Sequence, residues 1–224
     1  CLEIVRELNP LCMVKGNHDE YASNNDEAME GFNPHARKAV LWTKEQLNTE
    51  QRSFLANLPL RATVPGTNIT IVHATLDSPD NWGYVFDMHH AADNFAYQFT
   101  QICFCGHSHV PVAFFKKPIS SMSERPIEEI IPWLHHEGES TIPTDVSTTD
   151  FLEVRLQTGY KYLFNIGSVG QPRNRDPRAS FAIIDTDTRE VSRHRVVYDI
   201  RATQAKILAA GLPDRLALRL ESGN

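Results

Sequence analysis

Short apolar runs, separated by polar turns and amphipathic segments, form the main pattern of this chain. Apolar or alternating runs bounded by Gly, Pro and Asn predict strands. The predicted strands cover residues 11–14, 60–64, 69–72, 102–105, 110–115, 151–156, 160–166, 181–185 and 191–198. Because only short turns separate the paired runs, we expect hairpins over 60–72, 151–166 and 181–198.

Amphipathic segments lie between these strands and predict helices. The predicted helices cover residues 2–8, 34–46, 50–58, 88–98, 202–210 and 214–220. We expect Thr49 to cap the third of these, with Arg52 where a capping box would have Glu or Gln. We also expect a helical turn around 127–134. Residues 2–8 look like the last turns of a helix that Asn9-Pro10 ends, so we expect a fragment of a longer protein.

The composition is that of an ordinary globular domain, with 41% hydrophobic and 22% charged residues among 224. At this length we expect a single domain over 1–224, with a long insertion at about 116–149 that is rich in Pro, Ser and Thr. The net charge of −6 argues against a large face for nucleic acid. No apolar run approaches the ~20 residues of a membrane span. We expect a cytoplasmic protein.

The cysteines do not show the spacing of a disulfide framework; they are Cys1, Cys12, Cys103 and Cys105. Period-two geometry places Cys103 and Cys105 on the same face of a strand. We interpret the cysteines as small buried hydrophobic residues in a reducing cytosol, with a thiolate metal site as the alternative.

Three short motifs place imidazole and amide groups directly after predicted strands: Gly16-Asn17-His18-Asp19, Val72-His73-Ala74 and Gly106-His107-Ser108-His109. Neutral imidazole nitrogens and an amide oxygen suit a borderline divalent cation. Strand ends that converge on one edge of a sheet could therefore build a single metal site. Taken singly, His73 and His107 read more readily as ordinary half-buried histidines. His18 alone could be a loop residue that caps a helix beginning near residue 22.

In their joint order, these motifs resemble the last three metal motifs of the calcineurin-like metallophosphoesterases. The segment Asn165 to Arg173, followed by Asp176 to Phe181, is similar to the tail loop of the small bacterial branch of that family. The resemblance implies a four-layer α/β/β/α sandwich of two mixed sheets. The alternation of strands and helices by itself supports only a mixed α and β (α+β) fold class.

The resemblance also implies a hydrolase with two divalent cations, for which Mn, Fe, Zn and Mg are candidates. Asn17, His73 and His107 would ligate the second metal, and His109 would ligate the first. His18 would be the general acid, and Asp19 would hold the His18 ring by a hydrogen bond. The implied reaction is hydrolysis of a phosphomonoester or phosphodiester by a metal-activated hydroxide. The implied partner is a phosphorylated small molecule, a nucleotide or a phosphoprotein.

The chain departs from the family pattern at its beginning. The fifteen residues before Gly16 contain neither the Asp-x-His motif nor the Gly-Asp motif with which that pattern starts. We therefore expect the bridging carboxylate and the first strands to be missing from this chain. We also expect weak metal binding, little activity and poor solubility or domain swapping for the chain as given, and an active longer parent. The alternatives are a catalytically degenerate protein-binding module and a mononuclear structural metal site formed by Asn17, His73 and His107.

The Gly-rich loop Gly167 to Arg173 has two readings. Its glycines can permit a tight turn and close packing, which we favour, or its backbone amides can face an anion. Likewise Arg173, Arg175 and Arg178 either contact phosphate or form a solvated face.

Overall fold

The computed structural model describes residues 1–24, 32–118, 127–129 and 150–224. The helices are α1 (Leu2–Glu7), α2 (Asn17–Ser23), α3 (Pro34–Gln46), α4 (Thr49–Ala56), α5 (Met88–Tyr97), α6 (Ile200–Ala209) and α7 (Asp214–Ser222), with a 3₁₀ turn over Pro79–Asn81. The strands are β1 (Arg61–Thr63), β2 (Ile69–Val72), β3 (Ile102–Cys105), β4 (Val112–Lys116), β5 (Ile127–Glu129), β6 (Asp150–Arg155), β7 (Lys161–Asn165), β8 (Ala179–Asp185) and β9 (Glu190–Val196).

Two sheets organise these strands. The larger has the order β1-β2-β3-β7-β4-β5, and the smaller has the order β6-β9-β8. In the larger sheet β2, β3 and β7 are parallel, while β1, β4 and β5 pair antiparallel with their neighbours. The mixed α/β class with two sheets is confirmed. The expectation of two mixed sheets is wrong for the smaller one, whose described pairings are all antiparallel.

The core forms on both faces of the larger sheet. On one face Ile102 and Phe164 cluster with Val154 and Val191 of the smaller sheet, so the two sheets pack face to face. On the other face Leu163, among others, packs with Phe95 of α5. One helical layer and two sheets are thus in place at the core. The expected fourth, helical layer stays a prediction.

The two cysteines of β3 share the helix-facing side of the larger sheet, as their spacing predicted. Cys103 and Cys105 are buried in the cluster that includes Phe95 of α5. Burial raises the pKa of the Cys105 thiol to about 12 and that of Cys103 well above its usual value. Both thiols therefore stay protonated and behave as small hydrophobic side chains.

The hairpins over 60–72 and 181–198 are confirmed, but the hairpin over 151–166 is wrong. Strand β6 pairs with β9 in the smaller sheet, whereas β7 lies between β3 and β4 in the larger one. The reason is burial. Tyr162, Leu163, Phe164 and Asn165 are all buried, so β7 needs cover on both faces, and the centre of the larger sheet provides it.

Two further predictions of local structure are corrected. Residues 11–14 are not a strand; no described strand lies beside them, and Leu11 is 79% exposed. Residues 127–129 form β5 against β4 rather than a helical turn. The remainder of that predicted turn and most of the predicted insertion, residues 119–126 and 130–149, lie outside the described residues.

The start of α4 is one residue earlier than predicted. Asn48 is the N-cap; its side chain accepts from the backbone amide of Gln51 at 2.8 Å. The Gln51 side chain accepts in return from the backbone amide of Asn48 at 3.0 Å. This is a complete capping box, with Thr49 inside the helix instead of capping it.

None of the described helices is long and apolar enough to cross a lipid bilayer.

Candidate metal centre

Three polar turns meet at one edge of the larger sheet. His73 directly follows β2, and His107 follows β3 after Gly106. Because β2 and β3 are parallel, their carboxyl ends lie at the same edge. The Gly106 amide donates to the His73 carbonyl at 2.9 Å, which ties the two turns together. Asn17 reaches this edge from the first turn of α2.

The side chains of Asn17 and His107 both contact the ring of His73. His73 Nε2 lies 3.1 Å from Asn17 Oδ1 and 3.1 Å from His107 Nδ1. Ligands about 2.1 Å from a zinc-like ion are separated from one another by about 3.0–3.4 Å, so this spacing fits a shared cation. The chemistry agrees, since a proton on His73 Nε2 would have to be shared between two acceptor atoms, whereas without that proton all three atoms can offer lone pairs to a cation.

The cluster has no carboxylate. Within the ranges that the structure describes, no three side chains drawn from His, Cys, Asp and Glu converge as a metal site by themselves. The amide oxygen of Asn17 therefore completes the set of three. A neutral set gives a divalent cation less electrostatic stabilisation than a set with carboxylates would.

His109 lies beside this cluster in a separate orientation. Its Nδ1 donates to the Gln171 carbonyl at 2.6 Å, which leaves the Nε2 lone pair available to a metal. His107 and His109 both have left-handed backbone conformations, with φ of 63° and 61°. Such conformations cost about 1–3 kcal/mol each and are common where side chains must be aimed at a site.

Gly16 allows His73 to reach Asn17. A Cβ added at Gly16 would lie 3.0 Å from both Cε1 and Nδ1 of the His73 ring. The φ of Gly16 is −99°, which any residue can adopt, so the requirement for glycine is one of space. The glycine of the first motif thus makes room for the histidine of the second.

His18 and Asp19 lie in the first turn of α2, which begins at Asn17 and not near residue 22. Asp19 Oδ2 accepts from the Gly16 amide at 2.8 Å and so caps the helix. Among the described residues no hydrogen bond joins this carboxylate to the His18 ring, so that expectation is wrong. Asp19 acts on His18 only through its charge, which raises the pKa of the imidazole.

The histidines of the centre are neutral at pH 7. Burial, aided by neighbouring imidazoles, lowers the pKa of His73 to about 4. Burial and the charge of Arg173 lower the pKa of His109 to about 4. Burial also lowers the pKa of His107, and that of His18 despite the Asp19 charge. Neutral imidazole is the form that binds metals.

The sequence motifs missed Asn165 as a supporting residue of the site. Asn165 is buried at the end of β7, and its Nδ2 donates to the Gly106 carbonyl at 2.6 Å and to Ser108 Oγ at 2.9 Å. Its Oδ1 accepts from the Gly167 amide at 3.1 Å. Asn165 therefore holds the turn that carries His107. The sequence offered one signal for Asn165, because it is a polar residue at the end of an apolar strand. The same kind of signal pointed to His73 and His107.

The Gly-rich loop has a packing role. Gly167 has a φ of 80°, and a Cβ there would lie 3.2 Å from the Ser180 side chain. The arginines after it differ from one another. Arg178 pairs with Asp176 at 2.6 Å, which gives it a structural role. Arg173 is exposed, and its charge lowers the pKa of both His18 and His109.

Comparison with known proteins agrees with this fold. The family model for the calcineurin-like phosphoesterase superfamily domain matches residues 1–189. The chain therefore belongs to the calcineurin-like phosphoesterase superfamily. It is 34% identical to the uncharacterized protein MJ0912 of Methanocaldococcus jannaschii over 225 aligned positions, which cover 100% of this chain and 79% of that protein.

Two solved structures are similar to this one. The crystal structure of a metallophosphoesterase from Sphaerobacter thermophilus has a TM-score of 0.76 and 37% identity, and the match covers 100% of this chain and 81% of that one. The hypothetical protein PH1004 of Pyrococcus horikoshii OT3 has a TM-score of 0.65 and 16% identity, with 95% and 73% coverage. At that identity the second match supports the fold alone.

The lowered histidine pKa values predict how stability depends on pH. An unfolded histidine takes up its proton near its ordinary pKa of 6.5, whereas folded His73 and His109 do so only at about 4. Between these values the unfolded state binds more protons. We therefore expect the free energy of unfolding of the metal-free protein to fall as the pH is lowered from 6.5 towards 4.

Urea unfolding at several pH values in excess EDTA measures this dependence. His73→Gln should flatten the slope between pH 4 and 6.5, because it removes one of the groups responsible. His35→Gln, at an exposed histidine of α3, is the matched control and should leave the slope unchanged. A His73→Gln slope equal to that of the unsubstituted protein would contradict the prediction.

Proposed function

We propose that this protein is a phosphoesterase that uses two divalent cations to hydrolyse phosphomonoesters or phosphodiesters. The observation that carries the proposal is the pair of 3.1 Å contacts that His73 Nε2 makes with Asn17 Oδ1 and His107 Nδ1. Membership of the calcineurin-like phosphoesterase superfamily supports the reaction class. The related structure from Sphaerobacter thermophilus bears the name metallophosphoesterase.

In this proposal Asn17, His73 and His107 hold one cation, and His109 is a ligand of the other. When bound, the cations would supply Lewis-acid polarisation of the phosphoryl group and would lower the pKa of a nucleophilic water. Neutral protein ligands leave the positive charge of the metals available to an anionic phosphate. Because the described ligands include no carboxylate, we expect this chain alone to bind metal weakly. Titration with Mn²⁺, Fe²⁺, Zn²⁺ and Mg²⁺ identifies the preferred ion.

His18 is the proposed general acid. Its pKa is lowered in the free protein, mainly by burial and further by the positive charges of Arg173 and Arg219. The Asp19 charge raises the pKa of His18, and the negative charge of a bound phosphate would act in the same direction, against the positive charge of the cations. His18 can then take up a proton and transfer it to the leaving oxygen.

The leaving group of the substrate provides a specific test of His18. p-Nitrophenolate leaves without protonation, whereas an alkoxide needs a proton. We expect His18→Gln to lower kcat for glycerol phosphate by about 10²–10⁴-fold and kcat for p-nitrophenyl phosphate much less. His35→Gln is again the control. An equal loss with both substrates would contradict the role of His18 as a general acid.

The same assay tests the phosphoesterase function itself. At metal concentrations high enough to offset the weak binding, we expect slow but measurable hydrolysis of p-nitrophenyl phosphate or its bis ester, and we expect EDTA to abolish that turnover. If the folded, metal-loaded protein hydrolyses neither ester, the result would contradict the enzyme and favour the protein-binding module of this fold. One tightly held ion without turnover would favour the mononuclear structural site.

A further inference from the structure

A short aromatic turn, Trp82-Gly83-Tyr84, lies against two histidines of the candidate metal centre. The Tyr84 ring stacks on the His107 ring with a centroid distance of 4.4 Å and an interplanar angle of 24°. The Trp82 ring meets the His73 ring edge-on, at 5.9 Å and 74°. The turn therefore contacts both the imidazole that follows β2 and the imidazole that follows β3.

The backbone of the aromatic turn orients the His107 ring. Burial lowers the pKa of His107, and the hydrogen bond that its ring donates to the Trp82 carbonyl opposes this shift. His107 Nδ1 faces His73 Nε2 at 3.1 Å, so Nε2 of His107 is left as the donor to Trp82. A proton held on Nε2 leaves the Nδ1 lone pair to a cation. The Gln171 carbonyl fixes the proton of His109 in the same way.

The aromatic turn is held in place by its own packing. Trp82 has a left-handed φ of 54°, a conformation that is costly for a large side chain and persists only where surrounding contacts impose it. A Cβ added at Gly83 would lie 3.1 Å from Cγ2 of Thr75, so the turn packs closely against that residue. Thr75 is buried and comes two residues after His73. The turn is thus anchored to the loop that carries His73.

The stack of Tyr84 on His107 favours the metal-bound state. A cation bound at His107 withdraws electron density from the imidazole, which makes that ring partly positive. The electron-rich face of the Tyr84 ring attracts a positive ring more strongly than a neutral one. Tyr84 therefore stabilises His107 more when a metal is bound than when it is absent, whereas simple packing would stabilise both states alike.

From these contacts we infer that Tyr84 is a positioning residue of the metal centre, whose ring holds the His107 imidazole for the cation while the Trp82 carbonyl holds its proton. The inference rests on the proposed role of His107 as a metal ligand. Tyr84 acts through His107 and needs no contact of its own with metal or substrate. Phe86 extends the stack outwards, at 5.1 Å and 11° from Tyr84, but among the described residues its ring contacts only Tyr84 and His90.

Titration of the full chain with Co²⁺, followed by the visible absorption of the bound ion, measures both affinity and coordination geometry. We expect Tyr84→Leu to lower the affinity by about 10–100-fold and to change the Co²⁺ spectrum, because the ring no longer orients His107. Tyr84→Phe keeps the stack and should restore both. Tyr97→Leu is the matched control, since Tyr97 lies on α5 and is similarly exposed, 50% against 41% for Tyr84. A folded Tyr84→Leu protein with the original affinity and spectrum would overturn the inference and leave the phosphoesterase intact.

Nuclear magnetic resonance of the metal-free protein tests the same role without metal or substrate. In proton–nitrogen correlation spectra of the imidazoles at pH 7, we expect His107 to carry its proton on Nε2 alone in the original protein and in Tyr84→Phe. We expect a mixture of tautomers in Tyr84→Leu. A single tautomer that persists in Tyr84→Leu would overturn the inference. If the original protein binds no cation and hydrolyses no ester, the proposed function fails, and the tautomers of His107 still decide whether Tyr84 positions that ring.

Discussion

Replacement of His73 by Ala is expected to lower the affinity for Mn²⁺ or Zn²⁺ by more than about 100-fold and to abolish phosphoester hydrolysis. His73 Nε2 is the atom that both other members of the cluster contact, at 3.1 Å each, so its loss removes the common point. Loss of a residue that merely orients a ligand costs about 10–100-fold. Loss of the central ligand should cost more.

Isothermal titration calorimetry and kcat/KM for p-nitrophenyl phosphate measure the two effects of His73→Ala. His35→Ala is the control, because it removes an exposed histidine far from the cluster in sequence and outside its contacts. Circular dichroism establishes that the variants are folded. If a folded His73→Ala protein binds metal within twofold of the original affinity, His73 is not a ligand.

Gly223→Ala is expected to have the largest effect on stability. Gly223 ends α7 in a left-handed conformation with φ of 63°. A Cβ there would lie 2.6 Å from the backbone nitrogen of Asp176 and 2.7 Å from its carbonyl carbon. Backbone atoms cannot rotate away as a side chain can. We therefore expect an overpacking cost of about 1–3 kcal/mol in addition to about 1 kcal/mol for the conformation.

The same substitution should weaken metal binding, because the end of α7 supports the loop that holds His109. The Gly223 carbonyl accepts from the Arg175 amide at 3.0 Å, and the Asn224 carbonyl accepts from Gln171 Nε2 at 3.3 Å. The Gln171 carbonyl in turn accepts from His109 Nδ1. A shift of this loop therefore changes the orientation of His109.

Gly211→Ala is a matched control for Gly223→Ala. Gly211 also has a left-handed φ, of 69°, but a Cβ there would meet nothing within 4 Å. Gly211→Ala should therefore lose only the stability, about 1 kcal/mol, that the left-handed conformation costs a residue with a Cβ. Urea unfolding of both variants, together with metal titration, measures the difference. Equal stability losses in the two variants, or unchanged metal affinity in Gly223→Ala, would contradict the support that α7 gives to the loop.

Local sequence signals predicted the parts of this protein that depend on neighbouring residues. The apolar run Ile102–Cys105 and the helix Pro34–Gln46 were predicted with the bounds that the structure gives. His73 and His107 stand just after β2 and β3, whereas Asn17 opens α2 with no described strand before it; their motifs still allowed all three to be selected before their contacts were known. Their roles as ligands stay a prediction.

The features that the sequence did not reveal depend on distant partners. The position of β7 in the larger sheet is decided by which surfaces remain to be covered, and no local pattern records that choice. No local pattern reveals the role of Asn165 either, because its side chain is hydrogen-bonded to a carbonyl and a hydroxyl group of another loop. The stacking of Tyr84 on His107 also joins two loops, and a single half-exposed tyrosine gives no signal of it.

The insertion of β7 between β3 and β4 has a consequence for synthesis on the ribosome. Strands β3 and β4 are made early, but each keeps an unpaired edge towards the place that β7 later fills. Until Asn165 has left the exit tunnel, the turn that carries His107 lacks the hydrogen bond that Asn165 donates to the Gly106 carbonyl. We therefore expect newly made protein to acquire its cations only after most of the polypeptide has emerged, and stalled shorter products to be prone to self-association.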